Sequence, residues 1–309
     1  MIGRITNQMS AQMTLAGIET ALDRLDTTQQ ELSTGKSINQ PSDNPSGAAM
    51  ALQLNTDLSN LTSYSNNVTD GTGWTTAQSS ALTDVTNSVQ RIRELTLEAS
   101  NGTQTTADMQ ASAQEVNQLI EQIKQDANTQ YNGQYVFSGS ATSTAPYQSG
   151  STDTYGGNTG QITRTIGPNT SLTVSSNLSG VLGNGQTASG QPAGDGLLLN
   201  TLRNIADDMQ SGNSSGVNTD LSQLDTNLNS LNGLSANVGA VQDRLQMASS
   251  RIQTLQTSDT QVLSNTQDAD MATTEINFST EQAALTAALQ AGASIVQQSL
   301  MNFLGTSSG

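Results

Sequence analysis

Residues 281–304 read EQAALTAALQAGASIVQQSLMNFL, and the reading of this stretch decides the fold. Leu285, Leu289, Gly292, Val296, Leu300 and Phe303 recur at steps of three or four, which aligns them along one side of a helix. Ala283, Ala284, Ala287, Ala288, Ala291 and Ala293 surround that seam, so other helices can approach closely. A helix that is apolar or small nearly all round has to be buried. Only five residues follow Leu304 in this sequence. The cover is therefore expected from an earlier segment, from other copies of the chain, or from both. The pattern points to assembly rather than catalysis.

A partner pattern stands at the other end. Leu15, Ile18, Leu22, Leu25 and Leu32 lie at coiled-coil steps, with Asp23, Arg24, Asp26 and Glu31 on the flanks. Gly35 and the loop from Ser37 to Gly47 break this helix. Pro41 and Pro45 bias Gln40 and Asn44 away from helix, and Ser42 and Asp43 suit a turn or helix start. Helix resumes at Leu54, Leu58, Leu61 and Val68, and Gly71 and Gly73 are expected to interrupt it before Trp74. A seam from Leu82 to Ala99 ends at Asn101-Gly102. Another, from Met109 to Ala127, is expected to stop near Asn132-Gly133. From Tyr135 to Gly196 the chain turns rich in Gly, Ser and Thr. There Gln161–Ile166 and Ser171–Val174 alternate like short strands. Helix returns at Leu198, Leu202, Ile205 and Met209 and breaks over Ser211–Gly216. It then runs from Leu221 to Val262 without a proline. So long a seam implies a coiled coil or extended bundle.

The expected fold is mainly α: an elongated antiparallel helical bundle or coiled coil formed by the N- and C-terminal segments, with a small β-rich insert at the distal tip. Three domains are expected. Residues 1–35 with 270–309 form a terminal coiled coil that is mobile in the monomer. Residues 36–140 with 197–269 form a helical bundle, and 141–196 the insert.

Composition narrows the function. The 309 residues carry 3% aromatic side chains and a net charge of -16. So little apolar material suits long thin packings better than several compact cores. The acidity argues against a nucleic-acid partner, since phosphate binding needs clustered Lys and Arg. With no Cys and no His, thiol chemistry, the usual zinc sites and Ser-His-Asp catalysis are unavailable. The scattered carboxylates read as solvated helix charges. No catalytic residue, cofactor or metal site is expected, and the chain is not expected to be an enzyme. The N-terminus lacks the apolar stretch and cleavage site of a signal peptide, and no apolar run is long enough for membrane insertion.

Several tags, in this order and spacing, carry a resemblance. They are Ser33-Thr34-Gly35-Lys36 followed by Pro41-Ser42-Asp43-Asn44-Pro45; Arg91-Ile92-Arg93-Glu94-Leu95; Asn101-Gly102-Thr103; Tyr135-Val136-Phe137-Ser138-Gly139 with Pro146-Tyr147; Asp268 to Thr273; and Ser299 to Leu304. Over roughly residues 1–147 and 198–304 the chain resembles the flagellin superfamily, and within it the hook–filament junction proteins, also called hook-associated protein type 3. The Tyr135–Gly139 tag and the short insert favour a junction protein over flagellin, the bulk filament subunit, which stays the alternative.

The resemblance implies a structural adaptor of the bacterial flagellum that joins hook to filament and templates flagellin polymerisation. Its implied partners are copies of itself in a ring, a neighbouring hook-associated junction protein, flagellin, and an export chaperone on the C-terminal helix. It implies secretion to the flagellum by the flagellar type III route without a cleaved signal. The expected assembly interface is Leu15, Ile18, Leu22, Leu25, Leu285, Leu289, Val296, Leu300 and Phe303. Pro41, Ser42, Asp43, Pro45, Tyr135, Phe137 and Gly139 are the motif and hinge residues.

Overall fold

A computed structural model describes residues 7–150, 152–183 and 195–305. Among them are six helices: α1 (Asn7–Thr34), α2 (Pro45–Ser100), α3 (Thr106–Ala127), α4 (Leu198–Ser211), α5 (Ser214–Gln267) and α6 (Met271–Gly305). Two antiparallel strand pairs lie between α3 and α4: β1 (Gln130–Tyr131) with β2 (Gln134–Tyr135), and β3 (Thr163–Gly167) with β4 (Thr170–Thr173). The fold is mainly α with a small β insert, as the periodicity requires. Packing divides the chain into two compact units, residues 1–60 with 255–309 and residues 61–254. The boundaries fall inside α2 and α5.

The unit of residues 61–254 holds the apolar core. Along α5, Val217, Leu224, Leu231, Val238, Leu245 and Ile252 are buried at every seventh residue, a strict heptad that keeps one edge of a long helix facing its neighbours. Val85, Val89 and Ile92 of α2, Val116, Ile120 and Ile123 of α3, and Leu202, Ile205 and Met209 of α4 complete that core. Helix α3 begins with a capping box in which Thr105 and Asp108 bond each other's backbone N–H groups. Helix α4 ends at Gly212, whose φ of 73° no β-carbon opposes.

Two expectations about glycine are corrected. Gly71 and Gly73 do not interrupt α2, which is continuous through both. They are glycine because of close approach. A Cβ at Gly73 would stand 2.3 Å from the Tyr131 hydroxyl, and one at Gly71 would stand 3.2 Å from Leu245 Cδ2. Asn132-Gly133 does not stop a helix. α3 ends at Ala127, and Asn132 (φ 50°) and Gly133 (φ 75°) form the two-residue turn joining β1 to β2. Both central residues need positive φ there, the condition Asn-Gly meets most readily.

The insert is fastened to the helices by polar contacts. Asn128 exchanges two hydrogen bonds with the Tyr147 backbone at 2.7 and 3.0 Å, and the Tyr147 hydroxyl donates to the Gly183 carbonyl at 2.8 Å. Lys124, almost fully buried, meets Asp153 at 3.0 Å, and Arg203 clasps the same carboxylate at 2.9 and 3.0 Å. Arg203 also reaches Glu121 at 3.3 Å. Burial alone would raise the Glu121 pKa. The Gly150 N–H, Lys124 and Arg203 outweigh it and hold the carboxyl below its ordinary value.

Candidate assembly surface

The unit built from the chain ends is an antiparallel pair of long helices. Residues 14, 18, 21, 25, 28 and 32 of α1 are wholly or partly buried, at alternating steps of four and three. Residues 274, 278, 281, 285, 288, 292 and 295 of α6 are buried at the same alternation. These are two heptad seams, and they run in opposite directions. Gly292 faces Ile18 and Thr14, the Thr28 hydroxyl donates to Glu281, and the backbones of Lys36 and Asp268 pair as an isolated antiparallel β-bridge. The seams are filled sparingly. On α1 they carry Thr14, Ile18, Ala21, Leu25, Thr28 and Leu32, and on α6 Thr274, Phe278, Glu281, Leu285, Ala288, Gly292 and Ile295. Small and polar residues at half the positions bring the backbones close but bury little apolar area.

At the base of this pair the two connections are stitched together. Ser37 N–H donates to the Gln267 carbonyl at 2.7 Å, and Ala269 N–H to the Gly35 carbonyl at 2.9 Å. Gly35 turns the chain at φ 69°. Asp270 opens α6 by accepting from the N–H groups of Ala272 and Thr273 at 3.1 and 3.4 Å.

The expected interface residues divide between two faces. Ile18, Leu25 and Leu285 lie in the seam and are half-buried. Leu15, Leu22 and Leu289 do not: they are 61%, 48% and 52% exposed. Helix α6 continues through Val296, Leu300 and Phe303, whose side chains lie outside the described residues. Leu15 and Leu22 sit one heptad apart, each one residue beyond a seam position, Thr14 and Ala21. Leu289 stands in the same relation to Ala288. Positions rotated in the same sense from the contact line of two antiparallel helices fall on one side of the pair. The three leucines therefore form one uncovered apolar ridge. On the other side, Gly17, Thr20, Ala21, Arg24, Glu281 and Ala284 line a hollow of about 240 Å³. Spacing in the sequence favoured Leu289 for the seam because it is large. The structure seats Ala288 there, and the signal that marks this phase is Phe278 and Leu285, seven residues apart.

The motif residues have local jobs. Asp43 Oδ2 accepts from the N–H groups of Asn39 and Gln40 at 2.9 Å each. Those bonds, chiefly the one from Gln40, lower its pKa. Asn44 caps α2 by accepting from Gly47 N–H at 2.9 Å, and Pro45 opens the helix, where its missing N–H costs nothing. Asp43 and Asn44, rather than Ser42, bond the turn's backbone; Pro41 and Ser42 are exposed. Tyr135 is half-buried in β2 and Phe137 fully buried. The Phe137 carbonyl accepts from the Tyr155 hydroxyl at 2.7 Å, and burial pushes the Tyr155 pKa up to about 12. At Gly139 (φ 66°) a Cβ would lie 2.1 Å from the Asn158 carbonyl, so the tag's glycine is a requirement of the insert's own packing. Arg91 pairs with Glu94 and Glu115, and Arg93 with Asp225, all on the surface.

Among the described residues no group of three or more Asp or Glu is placed to hold a metal ion, and no helix is long and apolar enough to cross a membrane.

Comparison with known proteins adds independent findings. Residues 5–142 match the bacterial flagellin N-terminal helical region, and residues 221–304 the bacterial flagellin C-terminal helical region. The phase 1 flagellin of Salmonella naestved is 33% identical over 134 residues, 43% of this chain and 26% of that flagellin. The chain thus matches about a quarter of the length of that relative. A solved protein from Vibrio parahaemolyticus, described as flagellar hook-associated, superposes with a TM-score of 0.64 at 19% identity, covering 73% of this chain and 100% of the other. The flagellar hook-associated protein-3 of Legionella pneumophila superposes with a TM-score of 0.59 at 16% identity, covering 69% and 98%. The folds are alike, and the two matched regions take in both helical ends that form the paired hairpin: the chain belongs to the bacterial flagellin superfamily.

Proposed function

We propose that this protein is a structural adaptor of the bacterial flagellum, joining the hook to the filament and templating flagellin polymerisation. The observation that carries the reading is the terminal hairpin, whose sparse seam leaves a leucine ridge uncovered. Exposed apolar stripes of this kind mark interaction surfaces. The likeness in fold to hook-associated proteins supports the placement at the junction. Its partners are then further copies of itself in a ring, a second hook-associated junction protein on one side and flagellin on the other. Localisation is the flagellum, reached by the type III route, with a chaperone masking α6 before export.

The three-domain division belongs to the same reading, with residues 1–35 and 270–309 loosely held in the monomer. Ordering a residue costs roughly 1–2 kcal/mol, and Thr, Ala, Gly and Glu positions return little. Amide exchange on dilute monomer tests this: fast exchange at both ends is expected, and strong protection there overturns it. Within the adaptor reading, Val296, Leu300 and Phe303 extend the assembly surface. Val296→Asp is expected to stop filament growth while circular dichroism of the rest is kept. Truncation after Asp270 is expected to abolish chaperone binding.

The deciding experiment is deletion of the gene. Hooks without filaments support the adaptor. The second reading, bulk flagellin, is favoured by the 33% identity to flagellin; it requires thousands of copies per flagellum, where a junction ring needs few.

A further inference from the structure

Lys124 ends in a cage of oxygen atoms. Its side chain is 2% exposed. Its ammonium donates to Glu121 Oε1 at 3.3 Å, to the Thr152 carbonyl at 3.2 Å, to Asp153 Oδ1 at 3.0 Å and to the Gly150 carbonyl. Two carboxylates and two backbone carbonyls therefore converge on one ammonium, which is the donor set that loops offer to a bound hard cation. The loop is shaped for that purpose. Gly150 stands at φ 99° with open space where a Cβ would be, so backbone shape rather than crowding calls for glycine there. In that shape its carbonyl accepts from Lys124 and, at 3.2 Å, from Arg203, while its N–H donates to Glu121 Oε2 at 2.9 Å. Arg203 completes the surroundings: it clasps Asp153, 1% exposed, and donates to Asn117 at 3.0 Å.

We infer that Glu121, Gly150, Thr152 and Asp153 form a cation-binding site whose resident cation is the Lys124 ammonium, and that the loop carrying the last three stays closed because that cation is in place. The class of ligand the site takes is a primary ammonium, compact and with its three N–H groups spread as a tripod. A guanidinium is planar and presents a fork, the shape Arg203 uses on Asp153 alone. Charges balance at the site, Lys124 and Arg203 against Glu121 and Asp153. Without the ammonium, a carboxylate charge is left over away from water and the Thr152 carbonyl loses its donor. Opening the loop to water relieves that cost. An open loop also unseats Tyr147, which is buried and held through Asn128 and Gly183. Lys124 stands on α3 and Arg203 on α4, so the site is complete only when those two helices have packed, and the insert locks down after them. A plain ion pair between Lys124 and Asp153 would ask only for a positive charge.

Three full-length variants separate the two. Lys124→Ala removes the propylammonium end of the side chain and leaves its space. Lys124→Met keeps the bulk without the charge, and Lys124→Arg keeps the charge in another shape. Chymotrypsin cuts after tyrosine, so cleavage after Tyr147, read by mass spectrometry, reports an open loop, while circular dichroism reports the helices. Each variant is expected to raise that cleavage rate at least about tenfold with helix content kept. In Lys124→Ala, propylammonium chloride at about 0.1 M is expected to slow the cleavage about threefold, as mass action gives for a dissociation constant of about 50 mM. Propanol and sodium chloride at the same concentration are expected to leave it unchanged. A loop that stays closed in Lys124→Met overturns the proposal, because no cation is then needed. One that stays closed in Lys124→Arg overturns it in favour of the plain ion pair. Cleavage in Lys124→Ala that propylammonium does not slow, or that sodium chloride slows equally, overturns it as well. Should Lys124→Ala lose its helices, the other two variants decide, and loss of helix content in Lys124→Met would make Lys124 a requirement of the bundle instead of the loop.

Discussion

Residues 61–254 bury most of their leucines, valines and isoleucines, whereas the hairpin of the two chain ends keeps several of its own on display. Both regions are helical, both follow heptads, and both come from the same low-aromatic composition. The difference lies in what occupies the repeat. Along α5 the buried residues are Val217, Leu224, Leu231, Val238, Leu245 and Ile252, all large and apolar, with Asn227 the one polar residue among them. In the hairpin half are Thr, Ala, Gly or Glu. A helix pair of the first kind buries large side chains within the chain itself. On the assembly reading proposed above, the second kind gains most of its burial from a partner.

That contrast can be broken by experiment, beginning with the largest effect. Phe137→Ala removes a fully buried ring from the insert and is expected to destabilise residues 61–254 by about 3–5 kcal/mol in denaturant titration. An effect no greater than that of a surface change would mean the insert does not share in that core. Asp153→Ala strips Lys124 and Arg203 of their shared buried carboxylate and leaves both cations to Glu121 alone; it is expected to cost about 2–4 kcal/mol. Gly73→Ala, with its Cβ driven toward the Tyr131 ring, is expected to cost about 1–3 kcal/mol. A neutral result would show that the ring simply swings aside.

Acid titration sharpens the same comparison. Glu121 titrates below its ordinary value of 4.5. Its contribution is therefore fully present above that pH and is lost as pH falls through the lowered value. Residues 61–254 are expected to lose stability below pH 4.5, and Glu121→Gln is expected to flatten that slope. At the small end, Leu22→Ala and Leu289→Ala are expected to change monomer stability by no more than about 0.5 kcal/mol while weakening self-association seen by light scattering. The reverse pattern would make the ridge part of the monomer's own core.

The helices were readable in the sequence because apolar spacing is a local property. α1, α3, α5 and α6 each announce themselves through steps of three and four. The misreadings have one cause, which is that the deciding neighbour is remote in sequence. Gly73 looks like a breaker until Tyr131 is brought against it. Asn132-Gly133 looks like a helix end until Gln130 is seen to pair with Tyr135. Lys124 drew no reading from its sequence neighbours, and nothing local reveals that Asp153, itself held by Arg203, will meet it in a dry place. In α6 the size of Leu289 drew attention to a position that the fold leaves bare, while Ala288 and Gly292, with almost no side chain, hold the seam. For the surface the lesson differs in kind. Composition pointed to assembly, but the unlike faces of the hairpin depend on how two helices are clocked about each other, which one sequence pattern alone does not state.

The stitch between Gly35–Ser37 and Gln267–Ala269 has a consequence for chain length. It ties residues that bracket most of the sequence, so everything between them is, from the hairpin's side, one closed loop. The entropy of closing such a loop rises only with the logarithm of its length, and doubling the loop costs only about 0.6 kcal/mol. Material added to or taken from the region between β2 and α4 therefore barely changes the free energy of bringing the two ends together. A chain joined in this way can vary its middle widely and keep the same handshake at its ends.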